Sequence, residues 1–524
     1  MDIRAEVKKL LQEIGPGRMM STAYDTAWVA RLVELGEPMG EQALEWLREH
    51  QLPDGSWGAY APRYYHDRMI STLAAMTALG RYGTDKDKPR IERARMGLDI
   101  AARGLRADPV GETIGFELIV PTLLDEAHEL GILQRTANGN FDQFIGSGKS
   151  ELDELASDYD YRRRDDFLGR LSTQRKAKLK ALPDGKINRH VTLAFSAEMV
   201  GTDNIGLLDI ENLQEPNGSV GYSPSATAYF ALYVRRGDTK ALEYLKALAQ
   251  KNQEHYGGGI PNVSPFDTFE RSWSLLNFLL SDSLSDEFRE LFQAHLKFLS
   301  SVWVDGRGVG YTSVYTPTNA DDTSVAFKVL DRFDNPPDKK ALFFYEEDNC
   351  FRCFELESNP SISANVHMLG ALRTIGLLSS DGTIKKITNF LKSKKFLNAF
   401  WFDKWHSSPY YVTSQAIIAA TGYSDELISD SIQWIVDTQN YDGSWGYYMS
   451  TAEETAYCIQ SLIVWKRYGG KVSNNIIRKG LDWLRQNDEP PYPPLWIGKC
   501  LYTPELVVKA AILSTLALGE EENL

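Results

Sequence analysis

The phrase that most restricts this chain is one that it repeats. Residues 43–60 read ALEWLREHQLPDGSWGAY and residues 431–448 read SIQWIVDTQNYDGSWGYY. In each, an amphipathic run with helical spacing breaks at an Asp-Gly turn, and a Trp follows directly. Gln51, Asp54, Gly55 and Trp57 of the first copy return as Gln439, Asp442, Gly443 and Trp445 of the second. A fainter copy, ENLQEPNGSVGYSPSATAYFAL from Glu211, carries Val220 in the place of the Trp. A single helical hairpin cannot bury its own apolar face. Repeated hairpins therefore stack into a solenoid or close into a barrel, and the expected fold is all-α. The Gln and Trp tie helix ends together through side-chain to backbone hydrogen bonds and stacking, so no catalysis falls on Trp57 or Trp445.

The segment with the densest chemistry is TPTNADDTSVAFKVL, residues 316–330. Val325, Ala326, Val329 and Leu330 recur along one helix face, which puts Asn319, Asp321 and Asp322 in the turn just before that helix. Taken alone this is a capping cluster, because Asp and Asn before a helix satisfy its free N–H groups and suit its dipole. It is also the only place in the chain where adjacent carboxylates and an amide precede an apolar helix in this way.

A chain of 524 residues ordinarily divides into two or more domains. Between Asp85 and Leu207 basic residues become frequent, as expected for a second helical domain holding a polar stretch. The cluster of Arg162 to Arg164, Arg175, Lys176, Lys178, Lys180 and Lys186 reads equally as a solvated face or as a seat for an anion such as a diphosphate. The net charge of −14 argues against a nucleic-acid partner. Four scattered cysteines do not make a disulfide framework, and the cytoplasm is the expected compartment. Cys350 and Cys353 have CxxC spacing without a second ligand pair, so they read as core thiols. Residues 1–17 form an amphipathic helix rather than a signal peptide, and the apolar run near the C-terminus, broken by Lys509, is short for a membrane span. No GxGxxG, Walker A, HExxH or GxSxG element occurs.

The chain resembles the class II diterpene cyclases over almost its whole length. The resemblance is carried by YDTAW at 24–28, both QxxDGSWG boxes, IGFELIVPTLL at 114–124, GGIPNVSPFDTFERSW at 258–273 and the ADDT box, in family order. SPSATAYFAL, SISANVH, DKWHSSPYY, TAEETAYC and PPLWIGKCLY look closest to bacterial members such as the halimadienyl (tuberculosinyl) and kolavenyl diphosphate synthases. The resemblance implies an all-α fold of two double-helical (α/α) barrel domains, the βγ architecture. Residues 1–36 and 208–524 would form the domain with the acid box, and residues 37–207 the inserted γ domain. The implied activity is an isomerase-type cyclisation of geranylgeranyl diphosphate, started by alkene protonation, with the diphosphate retained.

Within the family's DxDD box, Asp321 takes the place of the proton donor and Asp322 that of the last Asp. Asn319 stands where the first Asp belongs. An amide keeps the hydrogen-bonding shape but cannot return a proton, so either the chain tolerates it or it is a slowed form suited to holding substrate. His367 and Asn365 align with the segment that supplies a hydrogen-bond partner to the acid. Lys178 aligns with the diphosphate-binding lysine, with Arg175 and Lys180 as neighbours. Asp108 and Glu112 are what remains of an acidic run that would hold Mg2+. Trp273, Tyr311, Trp401, Tyr410, Tyr411 and Trp496 are the aromatic candidates around the carbocation. In plant ent-copalyl diphosphate synthases a His assists a water in removing the last proton, and here that position is Phe195. The expected product is thus a rearranged halimane or clerodane diphosphate, with unrearranged copalyl diphosphate or a triterpene cyclase activity as alternatives. A downstream terpene synthase or phosphatase, and an oligomeric state, are the partners that such a product and family allow.

Overall fold

A computed structural model of the chain describes residues 2–134, 171–314, 316–355, 357 and 359–524. Among them, strands occur only as four two-residue pieces, and helices form the rest of the regular structure. Contacts group the chain into two compact units, one of Met1–Arg18, Pro265–Trp496 and Thr503–Leu524, the other of Met19–Ser264 with Ile497–Tyr502. The divisions at 18/19 and 264/265 differ from the 36/37 and 207/208 anticipated from the sequence. The reason is packing: helix Ala23–Ala30 is flanked by helices Pro38–Glu49, Tyr65–Tyr82 and Pro224–Tyr229, so both ends of residues 19–264 share one core.

In the first unit six inner helices pack each on the next and the ring closes. In order they are Asp267–Phe278, Ala320–Arg332, Ile362–Thr374, Pro409–Ala420, Ala452–Arg467 and Glu505–Glu521, the last packing back on the first. Ile3–Glu13, Arg289–Ser301, Lys340–Phe343, Gly382–Ser393, Ser429–Asp437 and Asn474–Leu484 pack outside that ring. The inner helices are apolar nearly all round, as helices buried on every side must be. Residues such as Val325, Leu330, Val366, Leu369, Ile417, Ile459 and Ile512 are fully buried. The second unit repeats the scheme on a smaller scale, with Ala23–Ala30, Tyr65–Tyr82, Phe116–Glu129, Thr192–Val200 and Pro224–Tyr229 as its inner ring.

The repeated phrase lies where an outer helix turns back to an inner one. Gln51 Nε2 donates to the carbonyls of Gly55 and Arg90, both at 2.9 Å, and Gln439 Nε2 donates to those of Gly443 and Ile476, both at 2.9 Å. The indole N–H of Trp57 donates to the Leu47 carbonyl and that of Trp445 to the Ile435 carbonyl, each at 2.8 Å, closing the outgoing helix. Gly55 and Gly443 have φ of +87° and +98°, and a Cβ on either would meet the carbonyl oxygen of Arg93 or Lys479 within 2.4 Å. Only glycine fits that approach.

Two copies were not legible in the sequence. Trp401 donates its indole N–H to the Leu391 carbonyl at 2.7 Å, and its backbone N–H to Thr413 Oγ1 at 3.1 Å. Val309 N–H donates to Thr323 Oγ1 at 3.1 Å. The same backbone lock recurs as Trp57 to Thr72, Val220 to Thr227 and Trp445 to Thr455. Trp401 is therefore a repeat tryptophan, buried at 0% exposure, rather than one of the residues grouped around the acid.

Candidate active site

Helix Ala320–Arg332 opens with both readings of its first turn satisfied at once. Asn319 is the N-cap, its Oδ1 accepting from Asp322 N–H at 2.8 Å, and its Nδ2 donates to Asp322 Oδ2 at 2.6 Å. Asp321 and Asp322 thus lie inside the helix rather than before it. Burial pushes the Asp322 carboxyl up to about 8, the neighbouring Asp321 adds to the rise, and the Asn319 amide opposes it. Asp322 Oδ1 meets no hydrogen-bond partner among the described residues.

Asp321 faces the neighbouring inner helix, Ile362–Thr374. Its Oδ1 lies 2.5 Å from His367 Nδ1, and its Oδ2 lies 3.4 Å from Ser363 Oγ. Ser363 and His367 are one turn apart, so both project from one face of their helix. That helix is set by Asp403, whose carboxylate accepts from the N–H groups of Ile362 at 2.8 Å and Ser363 at 2.9 Å, and from both the Ser361 and Ser363 hydroxyls at 3.0 Å. His367 is 2% exposed and its Nε2 has no hydrogen-bond partner among the described residues. Asn365 points elsewhere: its amide exchanges hydrogen bonds with the backbone of Phe351, at 2.9 and 2.8 Å, and caps the Ser361 carbonyl. It holds the loop before its helix and does not touch the acid.

Aromatic rings line up beside this pair in sequence. Trp273 meets the His367 ring edge-on at 5.5 Å, Phe269 stacks on Trp273 at 4.4 Å and on Tyr311 at 4.8 Å, and Trp496 meets Phe269 at 5.2 Å. Tyr411 completes the circuit, 4.9 Å from Trp496 and 6.3 Å from His367, and its hydroxyl accepts from the Trp273 indole at 2.9 Å. Tyr410, next along the helix, stacks instead on Trp434 of an outer helix at 4.7 Å. Phe269 and His406 belong to the group although sequence reading passed over them. Phe269 lies one turn before Trp273, and that spacing was the available signal.

The remaining predicted residues belong to the second unit. Lys178 pairs with Glu117 in the first turn of helix Phe116–Glu129, and both side chains are partly exposed. Lys180 is exposed. Arg175 is committed, donating to the carbonyls of Met199 at 3.0 Å and Val200 at 3.2 Å. It braces the segment that carries Phe195. Asp108 is committed as well: it accepts from the N–H groups of Tyr65 at 3.0 Å and His66 at 2.8 Å and pairs with His66 Nδ1 at 2.7 Å. As a capping group with both oxygens taken, it does not fit a magnesium ligand. Burial, and then the nearby Glu117 carboxylate, raise the Glu112 pKa, and among the described residues no group of three or more His, Cys, Asp or Glu could hold a metal ion. Arg162 to Arg164 lie outside the described residues.

Phe195 sits under a buried ion pair. Lys499 Nζ lies 4.6 Å from the Phe195 ring centroid and donates to Glu198 Oε1 at 2.6 Å, Ser223 Oγ at 2.7 Å and Ser225 Oγ at 2.8 Å. Tyr24 adds a further donor to Glu198 Oε1 at 2.8 Å. This cluster joins YDTAW, SAEM, SPSATAY and WIGKCLY in one buried hydrogen-bond network.

An acid on an inner barrel helix, held by a histidine and bordered by aromatic faces, is the arrangement of a terpene cyclase that starts by protonation. Comparisons agree. Residues 354–496 match the model of the squalene-hopene cyclase C-terminal domain. The chain is 45% identical over 518 residues to a type B diterpene cyclase of Mycobacterium tuberculosis, covering 96% of each chain. An ent-copalyl diphosphate synthase of Streptomyces is 29% identical, over 91% of this chain and 88% of its own. The solved structure of ent-copalyl diphosphate synthase from Streptomyces platensis superposes with a TM-score of 0.74 at 26% identity, covering 99% of this chain and 100% of that one. The chain belongs to the class II diterpene cyclases. No described helix is long and apolar enough to cross a membrane.

Proposed function

We propose that this enzyme cyclises geranylgeranyl diphosphate by protonating its terminal alkene from Asp321, retains the diphosphate, and releases a rearranged halimane or clerodane diphosphate. The observation that carries this reading is the 2.5 Å contact between Asp321 Oδ1 and His367 Nδ1. With the imidazole N–H donating to Oδ1, the carboxyl proton resides on Oδ2, and the hydrogen bond draws density from the acid as an alkene approaches. An alkene is so weak a base that such help is required. Trp273, Tyr411 and Trp496 then offer aromatic faces to the cation without nucleophilic atoms that would trap it. Lys178, exchanging Glu117 for substrate oxygens, binds the diphosphate, and Lys180 adds charge to the same face. Glu112 would help hold a magnesium ion, which would neutralise diphosphate charge. All four cysteines are free and buried, in keeping with the cytoplasm as the compartment. A terpene synthase or phosphatase acting on the retained diphosphate would follow. The direct test is incubation with geranylgeranyl diphosphate and magnesium, then dephosphorylation and mass spectrometry. Absence of any cyclised diterpene alcohol sinks the reading.

Asn319 acts here by moderating Asp322: its amide donates to one carboxyl oxygen and opposes the rise that burial imposes, so Asp322 ionises at a lower pH than burial alone would set. Turnover is expected to fall as pH rises through about 8, because an ionised Asp322 beside Asp321 makes the donor hold its proton more tightly. Stability follows the same direction. The folded-state pKa is raised above the unfolded one, so the stability Asp322 allows is complete below the ordinary carboxylate range and is lost as pH rises through about 8. In Asn319→Asp a second carboxyl shares the Asp322 proton, and the alkaline limb of the kcat profile should move upward with higher turnover. Superimposable pH profiles for the two forms count against this role.

Product identity turns on Phe195, which is 7% exposed and stacks near Tyr222 at 5.3 Å. A phenyl ring cannot hold a basic water, so the first bicyclic cation lives long enough for hydride and methyl shifts. Phe195→His is expected to divert product toward unrearranged copalyl diphosphate. An unchanged product ratio would favour a second reading, in which the native product is already the unrearranged skeleton named in the ent-copalyl diphosphate synthase relatives.

A further inference from the structure

The first unit holds a second buried carboxylate beside the aromatic circuit that the acid-first chemistry leaves unused. Glu453 lies in the first turn of the inner helix Ala452–Arg467 and is 1% exposed. Three donors converge on its Oε1: the Trp496 indole N–H at 2.8 Å, His406 Nε2 at 3.3 Å and the Tyr457 hydroxyl at 3.4 Å. Ser408 N–H donates to His406 Nδ1 at 3.1 Å, the Ser408 carbonyl lies 3.3 Å from the same nitrogen, and a ring proton on Nε2 points at Glu453. Glu453 Oε2 has no hydrogen-bond partner among the described residues.

A buried carboxylate with every donor on one oxygen and none on the other is costly unless the bare oxygen serves something that arrives. Helix capping does not account for it. The N-cap of this helix is Thr451, whose Oγ1 accepts from Glu454 N–H, and it is Glu454 that holds the turn through Tyr447 N–H. The neighbours of Glu453 are those of the acid: Trp496 and His406 lie 4.9 and 4.7 Å from Tyr411, which in turn borders His367. Burial pushes the Tyr411 hydroxyl well up, and the Asp321, Asp403 and Glu453 carboxylates push it further, which places Tyr411 within the field of both ends.

We infer that Glu453 is the terminal base of the cyclisation, taking the last proton from the rearranged carbocation on its Oε2. The inference rests on the proposed reading of the chain as a protonation-initiated cyclase of geranylgeranyl diphosphate. In the step, a C–H bond adjacent to the cationic carbon breaks, its electron pair becomes the ring alkene, and the proton goes to Glu453 Oε2. Trp496, His406 and Tyr457 hold the carboxylate still through Oε1. They also occupy Oε1, which leaves Oε2 as the oxygen open to the proton. Solvent returns a proton to Asp321 and removes one from Glu453 between turnovers, so the reaction is an isomerisation overall.

The test compares wild type, Glu453→Gln and Tyr457→Phe on geranylgeranyl diphosphate in D2O, with products resolved after dephosphorylation. In Glu453→Gln, deuterium should still enter at the protonated carbon, because Asp321 is intact. The native olefin should fall by about a hundredfold relative to other olefins and to alcohols from water capture. Tyr457→Phe should shift the ratio the same way by less. If Glu453→Gln keeps the native product ratio, whatever its rate, the assignment is overturned. Should Glu453→Gln fail to fold by circular dichroism, Glu453→Asp serves: with substrate deuterated at the carbon that loses its proton, its product ratio should respond to the label more than that of wild type, and an equal response overturns the assignment. Failure of wild type to cyclise the substrate would instead remove the reading on which it rests.

Discussion

Asp321→Ala should abolish cyclisation while leaving the protein folded. The loss expected is at least about a thousandfold in kcat, the upper part of what a positioned general acid contributes, because water cannot protonate an unactivated alkene in its place. His367→Ala should retain a measurable fraction, since it removes the group that sharpens the acid and not the acid itself. The fold should survive both. Asp321 contacts two side chains, His367 and Ser363, whereas the cap of its helix belongs to Asn319 and the start of the neighbouring helix Ile362–Thr374 is held by Asp403. Single-turnover assays beside thermal melts separate the outcomes. Residual turnover within tenfold of wild type would move the donor elsewhere, and Asp322, with its free Oδ1, would be the next residue to examine.

Lys499→Met is the substitution with the largest expected effect on stability. Lys499 and Glu198 are both at 0% side-chain exposure and 2.6 Å apart. Removing the ammonium leaves the buried Glu198 carboxylate with the Tyr24 hydroxyl as its donor and no counter-charge, and takes from Ser223 and Ser225 the donor they share, which costs about 3–5 kcal/mol. The double variant Lys499→Met with Glu198→Gln should recover part of that loss, because the uncompensated charge is gone. Denaturant melts read both. If the double variant is no more stable than the single, Lys499 contributes by packing over Phe195 and Tyr24, and not through its charge.

Much of this was legible before any coordinates. The repeated Gln-to-Trp turn states its own architecture, because a hairpin bound at that turn has an apolar face to bury and only a neighbour to bury it on. The cap was legible too, since Asn319, Asp321 and Asp322 follow the rules of a helix start. What the sequence does not display is which neighbours meet across the barrel. His367 and Asp321 are 46 positions apart, and nothing local to either marks the contact. The two hidden repeats escaped because their turns lack the Asp-Gly-Ser-Trp phrase. Their mark is the threonine on the following inner helix, Thr323 and Thr413, which locks the turn by one hydrogen bond. Asn365, Asp108 and Arg175 fit a pattern by position, yet backbone groups take up their polar atoms. A motif fixes where a residue sits in the chain, while the local demand for hydrogen-bond partners decides what it does there.

The segment Ile497–Tyr502 has a consequence for how the protein is made. It supplies the second unit with Lys499, with the N–H of Leu501 for Asp67 at 3.0 Å, and with the carbonyl of Gly498 for Ile114 N–H at 2.9 Å. On a ribosome, residues 19–264 emerge long before those six. Until the last stretch arrives, Glu198 and Asp67 have no partner from it, and the unit must wait as an unfinished intermediate with its carboxylates in water. Completion of this unit is thus timed by the synthesis of residues 497–502, and agents that hold nascent chains would act on it from residue 264 until those six have emerged.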